Sequence, residues 1–515
     1  MTTRARIRTG MSIAAAALAL TGCVTNPVTG RSEITFISAP QEVAMGANAY
    51  APMQQSQGGL FRLDPAVSDY VSRVGQKVAV VSDRDLPYEF VVLNNGVPNA
   101  WALPGGKIAI NRGLLLEMKS ESELAAVLAH EVVHAAAKHS VSQMQRSMVL
   151  QALVIGTAVV SNDSDYGSLA TGAASVGANL LTQAHSREHE SQADYYGMQY
   201  MSRAGYDPQG AVDLQRTFVA LTADQPRRGP SLFASHPPSE QRLAANAATA
   251  QELPAGGIVG RDSYAAVMGK LRDAAPAFAR YDQGRKALAG KQYDQAMQHA
   301  RAAIAAVPSE ASFHGLAGDI ELMRNDTSDA ITHYTRALDR DATFFYYHLQ
   351  RGIARERRGS IDGAKVDLEN SLRLFETAPA QYTLGKIALA QRNTGEARQR
   401  FAAAAQAPGD VGLAARGELM RLDLANNPGQ YINVRTGTDD AGQLLVRVEN
   451  PNPLAVRSLV FRIRYLDSAN QVRDIQRTLN GTLSAGTGTT LSTGLGPFTS
   501  AQQFEVTLVS AALAE

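Results

Sequence analysis

The sequence predicts a multidomain chain with an α+β domain first, an all-α array of helical repeats next and an all-β sandwich last. Three observations predict it. Short strand-like segments lead into an apolar helix across residues 124–134, matching residues recur at intervals of 34, 34 and 33 positions between 284 and 401, and apolar and polar residues alternate beyond about residue 430. At 515 residues and 45% hydrophobic content, the chain exceeds one domain and can fill several cores.

The amino terminus bears on compartment. Arg4, Arg6 and Arg8 precede an apolar run from Met11 to Leu20, too short to span a bilayer but suited to a signal peptide over residues 1–22. Leu20-Thr21-Gly22-Cys23 resembles the bacterial lipobox, which implies that Cys23, the only cysteine, becomes the lipidated first residue, with residues 23–45 as a tether. Val24 stands where an aspartate would signal inner-membrane retention, so outer-membrane attachment facing the periplasm is expected. A mitochondrial transit peptide would explain the arginines but not the lipobox. One cysteine permits no internal disulfide, which is compatible with either redox state. Loss of three arginines leaves 46 basic against 48 acidic residues, a net charge of −2 that does not favour nucleic acid. The longest later apolar run, residues 149–160, is interrupted by Gln151 and too short to cross a membrane.

Residues 46–250 carry the chemistry. His130-Glu131-Val132-Val133-His134 places two imidazoles one helical turn apart, and side chains at i and i+4 share a helix face. His130 and His134 therefore converge on one point, as two ligands of a zinc ion must. A catalytic zinc needs a third protein ligand and keeps a fourth position for water. Glu190 is the best candidate, 56 residues beyond His134, and Asp194 shares its helix face. Asp194 would accept from the outer nitrogen of a ligand histidine. Glu188 and His189 compete with Glu190 as ligands, and His139 reads as structural. Glu131 reaches a metal less well than its neighbours but can take a proton from the attacking water and pass it to the leaving amine.

Other segments frame that centre. Lys107-Ile108-Ala109-Ile110-Asn111 alternates as a short strand after a Pro104-Gly105-Gly106 turn. As a sheet edge it would pair with an extended peptide through main-chain hydrogen bonds, giving weak sequence specificity. Trp101 would line that groove or sit in the core. His236, in a Pro-rich turn, would stabilise an oxyanion or occupy the open zinc position and hold the enzyme latent, and Arg242 would stabilise the oxyanion. Residues 149–160 and 167–179 would form a helical lid or ordinary packed helices.

A break falls near Leu253-Pro254-Ala255-Gly256-Gly257. Over residues 262–425, Gly284, Gly318, Gly352 and Gly385 form one repeat column, Ala296, Ala330, Ala364 and Ala397 a second, and Ala300, Tyr334, Leu368 and Phe401 a third. The interval is the tetratricopeptide period, so an all-α tetratricopeptide solenoid is expected, able to recruit a partner or serve as a spacer.

The His130 to His134 pattern, Glu190-x-x-x-Asp194, Asn99-Ala100-Trp101-Ala102-Leu103-Pro104-Gly105-Gly106, and Ser235-His236-Pro237-Pro238 with Arg242 occur in that order. Together they resemble the zinc metallopeptidase family that includes the CAAX prenyl proteases, HtpX and the mitochondrial Oma-type proteases, and within it a periplasmic branch with a tetratricopeptide tail. The resemblance covers about residues 40–410. It implies an α+β zincin-type metallopeptidase domain with one zinc ion on His130, His134 and Glu190, and Glu131 as general base.

Beyond Gln430, Phe461, Ile463 and Tyr465 alternate with Arg462 and Arg464, and Phe504, Val506 and Leu508 with Glu505 and Thr507. Over residues 430–515 this suggests a small immunoglobulin-like β-sandwich without evident chemistry. The whole reads as a lipid-anchored periplasmic zinc endopeptidase degrading misfolded or misassembled envelope proteins, with repeats that choose clients or meet envelope assembly machinery. The rival readings are a non-proteolytic chaperone or assembly scaffold and a repeat-based adaptor. Glu131 favours catalysis, because a lapsed enzyme has no physical need of it.

Overall fold

The computed structural model describes residues 22–145, 185–224, 236–467 and 469–514. The expected signal peptide with its three arginines, the two lid segments and Ser235 lie outside the described residues. Two compact units divide the chain. The first runs up to Arg358 and takes in residues 373–375; the second holds residues 359–372 and 376–515.

In the first unit, β1 (Gly22–Thr25) pairs with β2 (Ser32–Thr35), with the Cys23 backbone opposite Ile34. Helices α1 (Ala39–Ser56) and α2 (Pro65–Ala79) precede a three-stranded sheet of β3 (Glu89–Leu93), β4 (Ala100–Leu103) and β5 (Lys107–Asn111). Its order is β3-β5-β4, parallel between β3 and β5 and antiparallel between β5 and β4. The expectation of a sheet edge at Lys107–Asn111 is thus corrected. Strand β5 is central and buried on both faces, which alternation alone does not reveal, and even Lys107 is buried, its ammonium meeting Glu89 and the Pro87 carbonyl. The edge on that side is β4. Its Trp101 packs in the core with Tyr50, Met53, Leu103 and Ala109.

Short helix α3 (Arg112–Glu117) leads to α4 (Glu121–Ala136), which carries the paired histidines. Helices α5 (Arg187–Arg203), α6 (Gln209–Asp224) and α7 (Glu240–Glu252) follow. The long helix α8 (Arg261–Ala289) buries Tyr264, Met268 and Leu271 in the same core as α2, α4 and the sheet. The repeat array therefore begins from a helix rooted in the first domain. Arg112 strengthens that root: its guanidinium lies 3.5 Å from the Phe278 ring centroid and its Nε donates to Asn94 at 2.8 Å. Helices α9 (Tyr293–Ala306), α10 (Ala311–Met323), α11 (Thr327–Leu338) and α12 (Phe345–Arg357) complete this unit.

The repeat columns have a packing reason. A Cβ on Gly318 would stand 2.6 Å from the Tyr334 ring, so the small column makes room for the large one within a repeat. The four alanines of the second column and the four residues of the third are all fully buried.

The second unit contains α13 (Ile361–Leu374) almost entirely, then α14 (Ala378–Ala390), α15 (Thr394–Ala404) and α16 (Gly409–Asp423). In α14 and α15 the same relation recurs, with Gly385 against Phe401. Six strands close the chain: β6 (Asn433–Thr438), β7 (Leu444–Glu449), β8 (Val456–Leu466), β9 (Val472–Leu483), β10 (Gly488–Ser492) and β11 (Phe504–Leu513). They form antiparallel sheets of order β10-β7-β6 and β11-β8-β9. Leu444, Val446 and Val448 of one sheet share a core with Leu459, Phe461, Ile463 and Leu508 of the other.

Candidate metal centre

Three helices with serine caps supply the site. Ser120, Ser186 and Ser239 accept from the backbone N–H of Glu123, His189 and Arg242, fixing the starts of α4, α5 and α7. Helices α4 and α5 approach closely because residue 197 is glycine. A Cβ there would lie 3.2 Å from the His130 nitrogen. That approach brings the Glu190 face of α5 onto the His130–His134 face of α4.

The donors converge tightly. Nε2 of His130 and Nε2 of His134 are 3.0 Å apart, with Glu190 Oε2 at 3.5 Å from the first and Oε1 at 3.4 Å from the second. His236 completes the group, its Nδ1 3.2 Å from His130 Nε2 and 3.0 Å from Glu190 Oε1. One ligand atom from each of the four lies within 4.8 Å of every other.

This set fits zinc. A tetrahedron with arms of about 2.05 Å has edges of about 3.3 Å, which the observed separations of 3.0 to 3.5 Å bracket. Imidazole and carboxylate are also the donor types that zinc takes. Glu190 Oε2 is buried and accepts no hydrogen bond, its Arg242 contact at 3.0 Å being an ion pair without hydrogen-bond geometry, so it has a lone pair for a cation.

Outer contacts hold the donors in place. His130 Nδ1 meets Asp194 Oδ1 at 3.0 Å, and Arg242 grips both oxygens of Asp194 at 2.7 Å. Burial disfavours the charged form of His130, but the hydrogen bonds to Asp194 and Glu190 outweigh it and push the pKa up to about 10. Burial and neighbouring His185 push His134 well down. For Glu190 and Asp194 burial works against ionisation, yet His236, His130 and His134 hold Glu190 well below the usual carboxylate range, and Arg242 with His130 lowers Asp194. Glu131 is buried with its Oε1 3.7 Å from His236 Nε2, and burial raises its pKa. A pocket opens beside Glu131 and His236, walled by Val127, Met198, Met201, Leu214 and Phe218.

The structure thus brings together His130, Glu131, His134, Glu190, Asp194, His236 and Arg242. It separates the competing candidates. Glu188 is exposed and pairs with Arg31, while His189 stacks on His139 at 4.3 Å. The guanidinium of Arg242 is taken up by Asp194, Glu190 and the Pro237 carbonyl, so its contacts are with the shell's carboxylates. His139, expected to be structural, forms a second layer behind His134 together with Gln192, which the sequence did not single out. A third histidine so close after the His-Glu-x-x-His pair was the available signal.

Known proteins agree with this geometry. Residues 65–250 match peptidase family M48, and residues 281–343 match a tetratricopeptide repeat family. The β-barrel assembly-enhancing protease of Escherichia coli K12 is 28% identical over 349 residues, covering 61% of this chain and 70% of that protein. The mitochondrial metalloendopeptidase OMA1 of Schizosaccharomyces pombe is 34% identical over 223 residues, covering 42% of this chain and 63% of that one. Metalloprotease YcaL of Escherichia coli K12 is 27% identical over 254 residues, covering 45% and 92%. Residues 65–250 are thus similar to peptidase family M48 and form a zinc metalloendopeptidase domain, followed in this chain by tetratricopeptide repeats.

Proposed function

We propose that this chain is an envelope endopeptidase that removes misfolded or misassembled proteins, with His130, His134 and Glu190 holding one zinc ion and Glu131 acting as general base. The convergence of four metal-binding side chains beside a buried glutamate carries this reading. Zinc, when bound, polarises the scissile carbonyl and makes water acidic enough to attack. Glu131 takes the proton of the attacking water, an uptake that its burial-raised proton affinity favours, and returns it to the leaving amine. Asp194 orients His130, and Arg242 holds Asp194 and Glu190 in register.

His236 stands at the fourth donor position, which supports a latent resting site that opens when this side chain withdraws. The cavity beside Glu131 suits an apolar substrate side chain next to the scissile bond. If an extended substrate pairs with the sheet, it does so at β4.

The domain scheme is a lipidated start at Cys23, a tether to residue 45, peptidase to 250, repeats over 262–425 and an immunoglobulin-like sandwich over 430–515. Two three-stranded sheets around one core support the last of these. The envelope role and outer-membrane anchoring rest on the lipobox-like start and on the β-barrel assembly-enhancing relative. Among the described residues no helix is long and apolar enough to cross a membrane. The repeats are assigned to client capture or to envelope assembly machinery, as the domain type supports.

Cleavage of an unfolded protein by wild type and Glu131→Gln at equal zinc content tests the assignment. The variant should lose about 10²–10⁴-fold in rate while keeping its zinc. Equal rates would remove Glu131 from the reaction.

A further inference from the structure

His139 is buried and bridges two residues. Its Nδ1 lies 2.9 Å from Nδ1 of His134 and its Nε2 lies 3.0 Å from Oε1 of Gln192. Counting hydrogens fixes the direction of both contacts. An amide oxygen has no hydrogen to give, so His139 Nε2 carries one and donates it. The amide is oriented from its other end, where Gln192 Nε2 donates to Glu188 Oε1 at 3.4 Å. Neither ring nitrogen of His139 contacts a carboxylate and the ring is buried, an environment that favours the neutral form, whose Nδ1 is then a lone pair. The 2.9 Å contact then requires the hydrogen to sit on Nδ1 of His134. His134 is left with its lone pair on Nε2, the atom facing His130 and Glu190. The opposite assignment would set two lone pairs against each other at Gln192 and point an N–H from His134 into the donor cluster.

We propose that Gln192 and His139 form a tautomer relay, positioning residues that hold His134 in its metal-binding form. This rests on reading His134 as a ligand. The backbone is shaped for it. Helix α4 ends at Ala136, and Lys138 adopts φ +58°, a left-handed turn that redirects the chain before helix resumes at residue 139. In an uninterrupted helix, residue 139 would stand about 140° around the axis from His134, out of reach. His189 stacks on His139 with ring planes 6° apart, holding the relay ring in its plane. The two histidines of the His-Glu-x-x-His pair are therefore backed differently, His130 by a carboxylate and His134 by an imidazole.

The test measures zinc dissociation constants of the full chain by competition with a chromophoric chelator. His139→Leu should bind zinc about 10–100-fold more weakly, the usual cost of losing an outer partner of a ligand. His139→Asn, whose amide oxygen can accept from His134 near the old Nδ1 position, should recover most of that loss and restore the cobalt absorption spectrum that the Leu variant perturbs. Equal zinc affinity in wild type and Leu variant, or an Asn variant as weak as Leu, overturns the relay. Should His139→Leu not fold, Gln192→Leu decides: weaker zinc binding supports the relay, and unchanged binding overturns it. His134→Ala separates the two levels, because retained zinc affinity there would refute the ligand assignment itself.

Discussion

Asp194→Asn probes how the shell is held. Three N–H donors aim at this carboxylate: His130 Nδ1 and Arg242 Nη2 both point at Oδ1, at 3.0 and 2.7 Å, and Arg242 Nε points at Oδ2 at 2.7 Å. An asparagine oxygen at the Oδ1 position keeps the first two contacts. Its NH2 then faces Arg242 Nε–H, donor against donor, so one charge-assisted hydrogen bond is lost outright, worth about 1.5–3 kcal/mol. The full cost of about 3–5 kcal/mol for an orphaned buried ion is avoided, since Arg242 retains Glu190 and the Pro237 carbonyl. Relieving the clash rotates the side chain and loosens His130, so zinc affinity should fall about 10–100-fold. That fall corresponds to about 1.4–2.7 kcal/mol, the same size as the lost bond. Zinc competition and a melt of the zinc-free variant measure the two effects. Zinc binding within about twofold of wild type would refute the orienting role, whatever the melt shows.

Further perturbations address the gate, the repeats and pH. His236→Ala should speed cleavage of an unfolded protein and weaken zinc binding several-fold; if both stay unchanged, His236 is no gate. Gly318→Ala drives a methyl to 2.6 Å from the Tyr334 ring and should cost about 1–3 kcal/mol, read as a lower melting temperature, and an unchanged melt would show that the small column is not a packing requirement. Burial pushes Asp319 up to about 7 against the hydrogen bonds it accepts from Tyr334 and Tyr346. The native state thus binds more protons between about pH 4 and 7, so stability is greatest below that window and falls by roughly 4 kcal/mol as pH rises through it. Asp319→Asn should flatten this slope in calorimetry, and an unaltered slope would assign it to other groups.

How much of the site could be read in advance follows from the range of each interaction. His130 with His134, and Glu190 with Asp194, are spaced by one helical turn, a local relation that periodicity reports directly. That these faces meet depends on Gly197 lying against the His130 backbone, which no local pattern encodes. Arg242 was placed near the centre by motif order, but its grip on Asp194 is a tertiary fact that no local pattern encodes. His139 reads as structural from the sequence, but its place behind His134 depends on Lys138 adopting an uncommon left-handed conformation for a lysine, which no local pattern encodes. Strand β5 shows the converse limit. Alternation identified a strand there and could not distinguish a central strand from an edge.

The outer contacts also distinguish the four donors from one another. His130 is braced by Asp194, His134 by His139, and Glu190 by Arg242. His236 differs: its Nδ1 faces the cluster, and the carboxylate nearest its Nε2 is Glu131 at 3.7 Å. Bracing fixes a ligand's orientation before metal arrives, so three donors are built to stay and the fourth is built to exchange. The withdrawal of His236 would free the fourth position and uncover Glu131 in one movement. Latency and catalysis then share a single side chain, and zinc affinity and cleavage rate should shift in opposite directions when it is removed.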